Sequence, residues 1–249
     1  DRYTPPTMKL PKIETVDPLA AMPPTMSYVG YHAAQRPEDL AVMVNGREIT
    51  YSEFYRTISK MVGALHDLGL GPGHAVAVEM PDTYLHMLVI FAFEALGIVT
   101  LSYHQDEVPS IEDRLATMDL VMCPPGQEPS NAMRVQAMDE AWFDSMMAKE
   151  PEFSIGSASI SPDTPLRIVK SSGTTGNLRW MVLTARAINF TLDHYQIRAG
   201  FNPHSRFLLT MGFNTHAYHF YAAACLRMGG TCVYAGQESI DKALAKYMI

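Results

Sequence analysis

The sequence has little charge, few cysteines and no long apolar run. Charged residues make up 18% of the 249, with 26 acidic and 19 basic side chains. This slightly acidic balance excludes the broad positive surface that nucleic acids or anionic membranes require, so any bound anion needs a local site. The most apolar stretch, residues 85–101, is too short for a membrane span and contains His86 and Glu94. We predict that it forms a buried helix followed by a buried strand.

The cysteine and histidine patterns offer no metal site. Cys123, Cys225 and Cys232 lack metal-ligand spacing and lie in apolar surroundings, which is typical of reduced core thiols in a cytoplasmic protein. No charged-then-apolar leader follows Asp1, so we expect no signal peptide. His216 and His219 have a spacing that two metal ligands can use, but no third ligand accompanies them, and we predict no metal there.

The amino-terminal half predicts an arm followed by an α/β lobe. Residues 1–26 contain six prolines and little periodicity, which indicates a draped arm. Within residues 27–123, Asn45-Gly46 between two apolar-alternating runs predicts a β-hairpin. Thr50 and Glu53 have the spacing of a helix capping box. Strands and helices then alternate with connections of suitable length, which indicates a largely parallel, doubly wound sheet.

The remainder of the chain predicts a second α/β region. Residues 124–165 are more polar and irregular, with one predicted helix near 138–148, and they resemble a connection between two lobes. Residues 166–249 restart the alternation of strands and helices. The predicted fold class is therefore α/β, with two doubly wound lobes and largely parallel sheets.

The chemically most informative segment is a loop of small residues after the predicted strand 166–170. Glycines allow close backbone approach and positive φ, consecutive N–H groups can form an anion-binding concavity, and hydroxyls add donors. A nearby guanidinium supplies charge for phosphate oxygens. No GxxxxGK[ST] spacing occurs, so this is not a Walker A loop, and an ordinary surface loop is the alternative. The candidate phosphate-binding residues are Ser171, Ser172, Gly173, Thr174, Thr175, Gly176 and Arg179.

The string SSGTTG after an apolar strand resembles the phosphate loop of the adenylate-forming superfamily, which includes acyl-CoA synthetases, peptide-synthetase adenylation domains and luciferases. Residues 45–54, 68–83 and 93–103 resemble that family's amino-terminal lobe in order and spacing, and 211–231 resembles its next motif. The resemblance implies that the loop binds the β- and γ-phosphates of ATP. The family usually continues x-Pro-Lys-Gly-Val, whereas this chain places Arg179 at the lysine and a bulky Trp180 at the glycine.

The motif at 211–231 implies a residue that gates the acyl pocket. Counting back from Gly229 gives Asn214, with His216 two positions on, and the sequence leaves both open. Relatives that activate α-amino acids typically place an aspartate here, whereas residues 211–221 contain no acidic side chain. Since burying an ammonium group without a counter-charge is costly, we expect a carboxylic acid without an α-amino group and with an aliphatic or aromatic body.

The resemblance therefore implies ATP-dependent activation of a carboxylic acid as its acyl-adenylate, with Mg²⁺, and with CoA or a carrier protein as a possible acceptor. The family's later motifs, a Tyr-Gly-x-Thr-Glu segment, a ribose-binding aspartate and a terminal lysine, do not occur in these 249 residues. We accordingly expect a truncated amino-terminal domain with little turnover of its own, and assign no catalytic residue. The alternative, favoured by Leu178 and Trp180 in the loop, is a non-catalytic binding or scaffold module.

Overall fold

The computed structural model describes residues 22–151, 160–171, 179–236 and 240–247. Most of the predicted arm and the loop residues 172–178 lie outside this range. The helices are α1 (Thr25–Gln35), α2 (Tyr51–His66), α3 (Thr83–Ala95), α4 (Val108–Leu115), α5 (Glu140–Met147), α6 (Ala185–Ala199), α7 (His216–Arg227) and α8 (Ile240–Tyr247). The strands are β1 (Leu40–Val44), β2 (Arg47–Thr50), β3 (Ala75–Val78), β4 (Val99–Ser102), β5 (Leu120–Cys123), β6 (Val135–Ala137), β7 (Pro165–Ser171), β8 (Arg179–Thr184), β9 (Arg206–Leu209) and β10 (Thr231–Tyr234).

The described strands form two sheets, in the orders β2-β1-β10-β9 and β6-β5-β3-β4-β7-β8. Only β1–β2 and β7–β8 are antiparallel pairs within these sheets; the other neighbours run parallel. The predicted α/β class with largely parallel sheets is confirmed. Each sheet combines strands from both sides of the 124–165 segment, so pairing between distant parts of the chain builds both sheets.

Local signals at the start of the fold act as the sequence predicts. Asn45 and Gly46 have φ values of 51° and 87°, which the tight β1–β2 turn requires. At the start of α2 the Glu53 N–H donates to Thr50 Oγ1 at 3.2 Å, and the Thr50 N–H donates to Glu53 Oε2 at 3.1 Å. The predicted hairpin and capping box are both confirmed, and they orient α2 directly after β2.

Helix α3 is the central element of the largest hydrophobic core. From His86 to Ala95 every side chain is buried, including Glu94. A helix that is apolar around its whole circumference has to be covered on all sides, and α3 contacts α1, α2 and β4. The predicted buried helix followed by a buried strand is confirmed. Cys123, Cys225 and Cys232 are likewise buried and free.

Two features of the strands were not predicted from the sequence. The three-residue strand β6 falls inside the predicted connection, and its half-buried side chains carry no alternating pattern that would reveal it. Strand β8 pairs antiparallel to β7, from Ser171↔Arg179 to Pro165↔Thr184, so the two form a hairpin. The ends of the predicted phosphate loop are consequently joined by backbone pairing in the six-stranded sheet.

Candidate functional site

A cavity of ≈ 260 Å³ opens where β7 approaches the start of α7. Its lining comes from the ends of β4 and β7, from Glu107, and from the residues that begin α7. Ligands of parallel α/β sheets bind at the carboxyl ends of the strands, and both β4 and β7 meet the cavity there. The lining residues are Leu101, Ser102, Glu107, Arg167, Ile168, Val169, Lys170, Asn214, Thr215 and His216.

Arg167 is the principal charged group of the cavity. Its side chain is only 3% exposed and donates to two neutral hydroxyls, Thr100 Oγ1 at 3.4 Å and Ser102 Oγ at 3.1 Å. Its Nε makes no hydrogen bond within the described part of the chain. Burial lowers the pKa of Arg167 to about 10, so the guanidinium stays charged at neutral pH.

A chain of hydrogen bonds runs from Arg167 through Ser102 to His86. Since arginine can only donate, Ser102 Oγ accepts from Arg167, and its own proton is free for His86 Nε2 at 2.9 Å. Burial, and then the charge of Arg167, lower the pKa of His86 to about 3. His86 is therefore a neutral imidazole that is hydrogen-bonded to Ser102.

Lys170 and Glu107 form an ion pair at the other side of the cavity. Both side chains are partly exposed, at 32% and 29%. Partial burial lowers the pKa of Lys170. Because the pair is internally neutral, Arg167 supplies the excess positive charge among the lining residues.

The predicted gate residues lie at the amino-terminal end of α7, and both line the cavity. His216 is the first residue of α7; its ring packs edge-on against Phe220 with centroids 4.5 Å apart. Partial burial and the charge of Arg167 lower the pKa of His216 to about 4, so it is neutral at pH 7. Asn214 Oδ1 lies 2.5 Å from the position that a Cβ would occupy at Gly212, so a side chain there would displace Asn214.

Thr215 and His216, at the amino-terminal end of α7, both line the cavity. The cap residue Thr215 makes no side-chain hydrogen bond to the first turn of the helix. The first N–H groups of a helix lack intrahelical partners, and the helix dipole adds partial positive charge at this end. Arg167 and this helix end therefore give the cavity a positive electrostatic potential.

The predicted phosphate loop follows Lys170, which lines the cavity. Ser171 ends β7 and pairs with Arg179, which starts β8 with an exposed side chain. The residues Ser172, Gly173, Thr174, Thr175 and Gly176 lie outside the described residues. Trp180 packs on the cluster that contains Ile168, with the guanidinium of Arg114 5.3 Å from its ring centroid. The bulky residue at the family's glycine position thus has a packing role on β8.

The sequence reasoning missed Arg167 and the Lys170–Glu107 pair. A signal for Arg167 was available, because a single arginine interrupts the apolar strand Leu166–Val169. Nothing local indicated Glu107, which reaches the cavity from the turn after β4. In the described ranges no group of three His, Cys, Asp or Glu residues is placed to hold a metal ion, and no helix is long and apolar enough to cross a membrane.

Known proteins resemble this chain along most of its length. The AMP-binding enzyme family matches residues 30–248. The nonribosomal peptide synthetase ungA' of Aspergillus campestris is 26% identical over 211 residues, which are 80% of this chain and 2% of the synthetase. The peroxisomal OPC-8:0-CoA ligase 1 of Arabidopsis thaliana is 24% identical over 224 residues, 81% of this chain and 41% of the ligase.

A solved structure shows the same fold. The Klebsiella oxytoca NpsA N-terminal subdomain, in complex with 3-hydroxybenzoyl-AMSN, matches with a TM-score of 0.74 at 18% identity, covering 91% of this chain and 57% of that one. The chain thus spans less than half of each of the two curated relatives. With the family matching 219 positions in one continuous range, this chain belongs to the AMP-binding family of adenylate-forming enzymes.

Proposed function

We propose that this chain supplies the acid pocket and the polyphosphate loop for ATP-dependent activation of a carboxylic acid as its acyl-adenylate. One observation supports this proposal above the others. A single cavity is lined both by the carboxyl end of β7, which leads into SSGTTG, and by Asn214 and His216 at the start of α7. An acid in this cavity and a nucleotide on the loop would be neighbours. Holding two reactants together in this way is a major part of catalysis.

We propose that these residues contribute to the reaction mainly by stabilising charge. The acid's carboxylate attacks the α-phosphorus of ATP, the bond to the β-phosphate oxygen breaks, and pyrophosphate leaves with that electron pair. Amides and hydroxyls between Ser171 and Gly176, with Arg179, would hold the outer phosphates as charge develops on them. Among the described residues no group of three His, Cys, Asp or Glu side chains is placed to hold a metal ion, and we assign no Mg²⁺ ligand to them.

The proposed acid lacks an α-amino group. Two observations support this choice: residues 211–221 contain no carboxylate, and the one acidic residue of the cavity, Glu107, is paired with Lys170. An ammonium group would instead approach the buried cation Arg167 without a counter-charge. Such burial is strongly unfavourable.

We further propose CoA as the acceptor, as in the plant ligase, with a carrier protein as the other acceptor to test. Buried free thiols suit a reducing compartment, and we propose a cytoplasmic location on that ground. A non-catalytic module remains the second candidate, and the packing of Trp180 beside the loop is the feature that favours it.

The test uses the full-length protein that contains this chain. Acid-dependent pyrophosphate release is measured with a panel of acids, followed by product analysis with CoA or a carrier protein. Thr174→Ala and Arg179→Ala should each reduce the thermal protection given by ATP. Arg186→Ala is the matched control, because Arg186 lies on α6 with an exposed side chain. ATP protection without pyrophosphate release would favour the module, and unchanged ATP protection in both loop variants would refute the phosphate-loop assignment.

A further inference from the structure

Arg167 is a buried cation without a carboxylate partner among the described residues. The contrast with Arg227 makes this clear: Arg227 is equally buried, and its Nη2 lies 3.4 Å from Glu94 Oε1. Arg167 instead has two neutral hydroxyl acceptors and an Nε with no acceptor. A buried guanidinium with unused donor capacity is costly to maintain unless a ligand completes it.

The groups around Arg167 do not neutralise it. Glu107 is paired with Lys170, and Glu94, whose charge raises the pKa of Arg167, is already bonded to Arg227 and Thr25. The three nearby histidines, His86, His216 and His219, are all held neutral, partly by the charge of Arg167 itself. Arg167 therefore lines the cavity as a cation without a carboxylate partner among the described residues, and the start of α7 adds partial positive charge to the same lining.

We propose that this cavity binds a second anionic group of the acid, so that the activated substrate is a short dicarboxylic acid. The guanidinium of Arg167 would hold the distal carboxylate, assisted by the first backbone N–H groups of α7. This inference rests on the proposed function, since it names the class of acid that the same site activates.

The position of Arg167 along β7 separates this role from binding of the reacting carboxylate. In the sheet Thr100 pairs with Arg167, and the Arg167 guanidinium reaches forward along the strands to Ser102, two residues beyond that pair. Two further residue steps in the extended strand, about 7 Å, separate that level from Ser171. The reacting carboxylate has to reach the nucleotide held beyond Ser171. A group bound at Arg167 is therefore at the far end of the acid, about the length of a short carbon chain away.

The experiment compares acids of equal carbon number in the full-length protein. Glutarate is paired with valerate and adipate with hexanoate, and pyrophosphate release gives kcat/KM for each. We expect at least a tenfold preference for the diacid. Arg167→Gln should lower kcat/KM for the diacid about a hundredfold, mainly through KM, and change the monoacid less than threefold. Arg167→Lys should recover part of the diacid activity, and Arg186→Gln, an exposed arginine, should change neither.

Binding is measured separately from turnover. Glutarate without ATP should raise the melting temperature of the wild type and leave that of Arg167→Gln unchanged. Removing an uncompensated charge should not unfold the protein, and circular dichroism checks this; Arg167→Met fills the same space if the amide variant is unstable.

The outcomes distinguish this inference from the proposed function. A preference for monoacids, or equal losses for both acid classes in Arg167→Gln, would overturn the dicarboxylate assignment while leaving acid activation intact. If glutarate raises the melting temperature through Arg167 but no acid supports pyrophosphate release, the anion site is retained and the proposed activity is refuted. Absence of glutarate protection in the wild type would count against the site itself.

Discussion

The carboxylate of Glu94 on α3 lies 3.4 Å from Nη2 of Arg227 on α7, and the two side chains are 9% and 1% exposed. Thr25 donates both its N–H and its hydroxyl to the same carboxylate oxygen, while Arg227 also donates to Asn189 on α6 at 2.6 Å. The ring of Tyr28 covers the guanidinium, 4.7 Å from its carbon. One buried ion pair therefore connects α1, α3, α6 and α7.

Glu94→Gln should destabilise the protein by about 3–5 kcal/mol, because it leaves a buried guanidinium without its counter-charge. The free energy of unfolding is measured by urea titration. The double variant Glu94→Leu/Arg227→Met, which removes both charges, should lose less than the single variant. A loss below about 1 kcal/mol for Glu94→Gln would show that the pair is not required by the fold.

Acidification should destabilise the protein below pH 6.5 through the buried histidines. The pKa of His86 is about 3 in the folded state, and that of His219 is well below its ordinary 6.5, because burial disfavours their charged forms. Below pH 6.5 the unfolded chain therefore binds protons that the folded chain does not. Each histidine removes about 1.4 kcal/mol of stability per pH unit as the pH falls from 6.5 toward the folded value, and nothing above 6.5.

The measurement is the unfolding free energy between pH 8 and pH 5 for the wild type and His86→Gln. The variant should have a shallower slope below pH 6.5, by about 1.4 kcal/mol per unit, and the same slope between pH 7.5 and 8. Parallel curves over the whole range would contradict the neutral, buried state of His86.

Gly230, which directly precedes β10, allows a test of close packing. A Cβ at Gly230 would lie 2.7 Å from Cys225 Sγ and 2.9 Å from the carbonyl oxygen of Ser205. The Gly230 carbonyl also accepts from the Tyr51 hydroxyl at 2.7 Å. Gly230→Ala should therefore cost about 1–3 kcal/mol of stability by thermal or urea unfolding. The control is Gly71→Ala, where a Cβ would meet nothing within 4 Å; equal effects at both positions would refute the packing argument.

Trp180 provides a test of the packing beside the phosphate loop. Trp180→Ala removes the contact with Arg114 and part of the cluster around Ile168, so we expect a loss of about 1–3 kcal/mol. Its neighbour Met181 is 49% exposed, and Met181→Ala should change stability by less than about 0.5 kcal/mol. Similar losses in both variants would remove the structural explanation for a tryptophan at this position.

Local patterns in the sequence predicted the elements better than their arrangement. Asn45-Gly46, the Thr50–Glu53 capping box and the apolar stretch that forms α3 each depend on neighbouring residues, so single-sequence reasoning found them. The placement of β10 beside β1 depends on packing between residues about 190 positions apart, for which periodicity carries no signal.

The same distinction between local patterns and spatial arrangement applies to the candidate site. Asn214 and His216 were found through a motif, and the structure brings them to one cavity with the end of β7. Their role as acyl gate stays a prediction. The significance of Arg167 depends on what surrounds it in space: an arginine in a strand becomes unusual only when no carboxylate accompanies it.

The parallel pairing of Val42 with Cys232 has a consequence for synthesis of the protein. The β1–β2 hairpin can form early, but its only parallel neighbour within the described sheet is translated almost 190 residues later. Until β10 emerges from the ribosome, one edge of the nascent hairpin remains open to other chains, and such edges promote aggregation. Completion of the four-stranded sheet therefore has to wait for the synthesis of β10, and chaperone occupancy should persist until then.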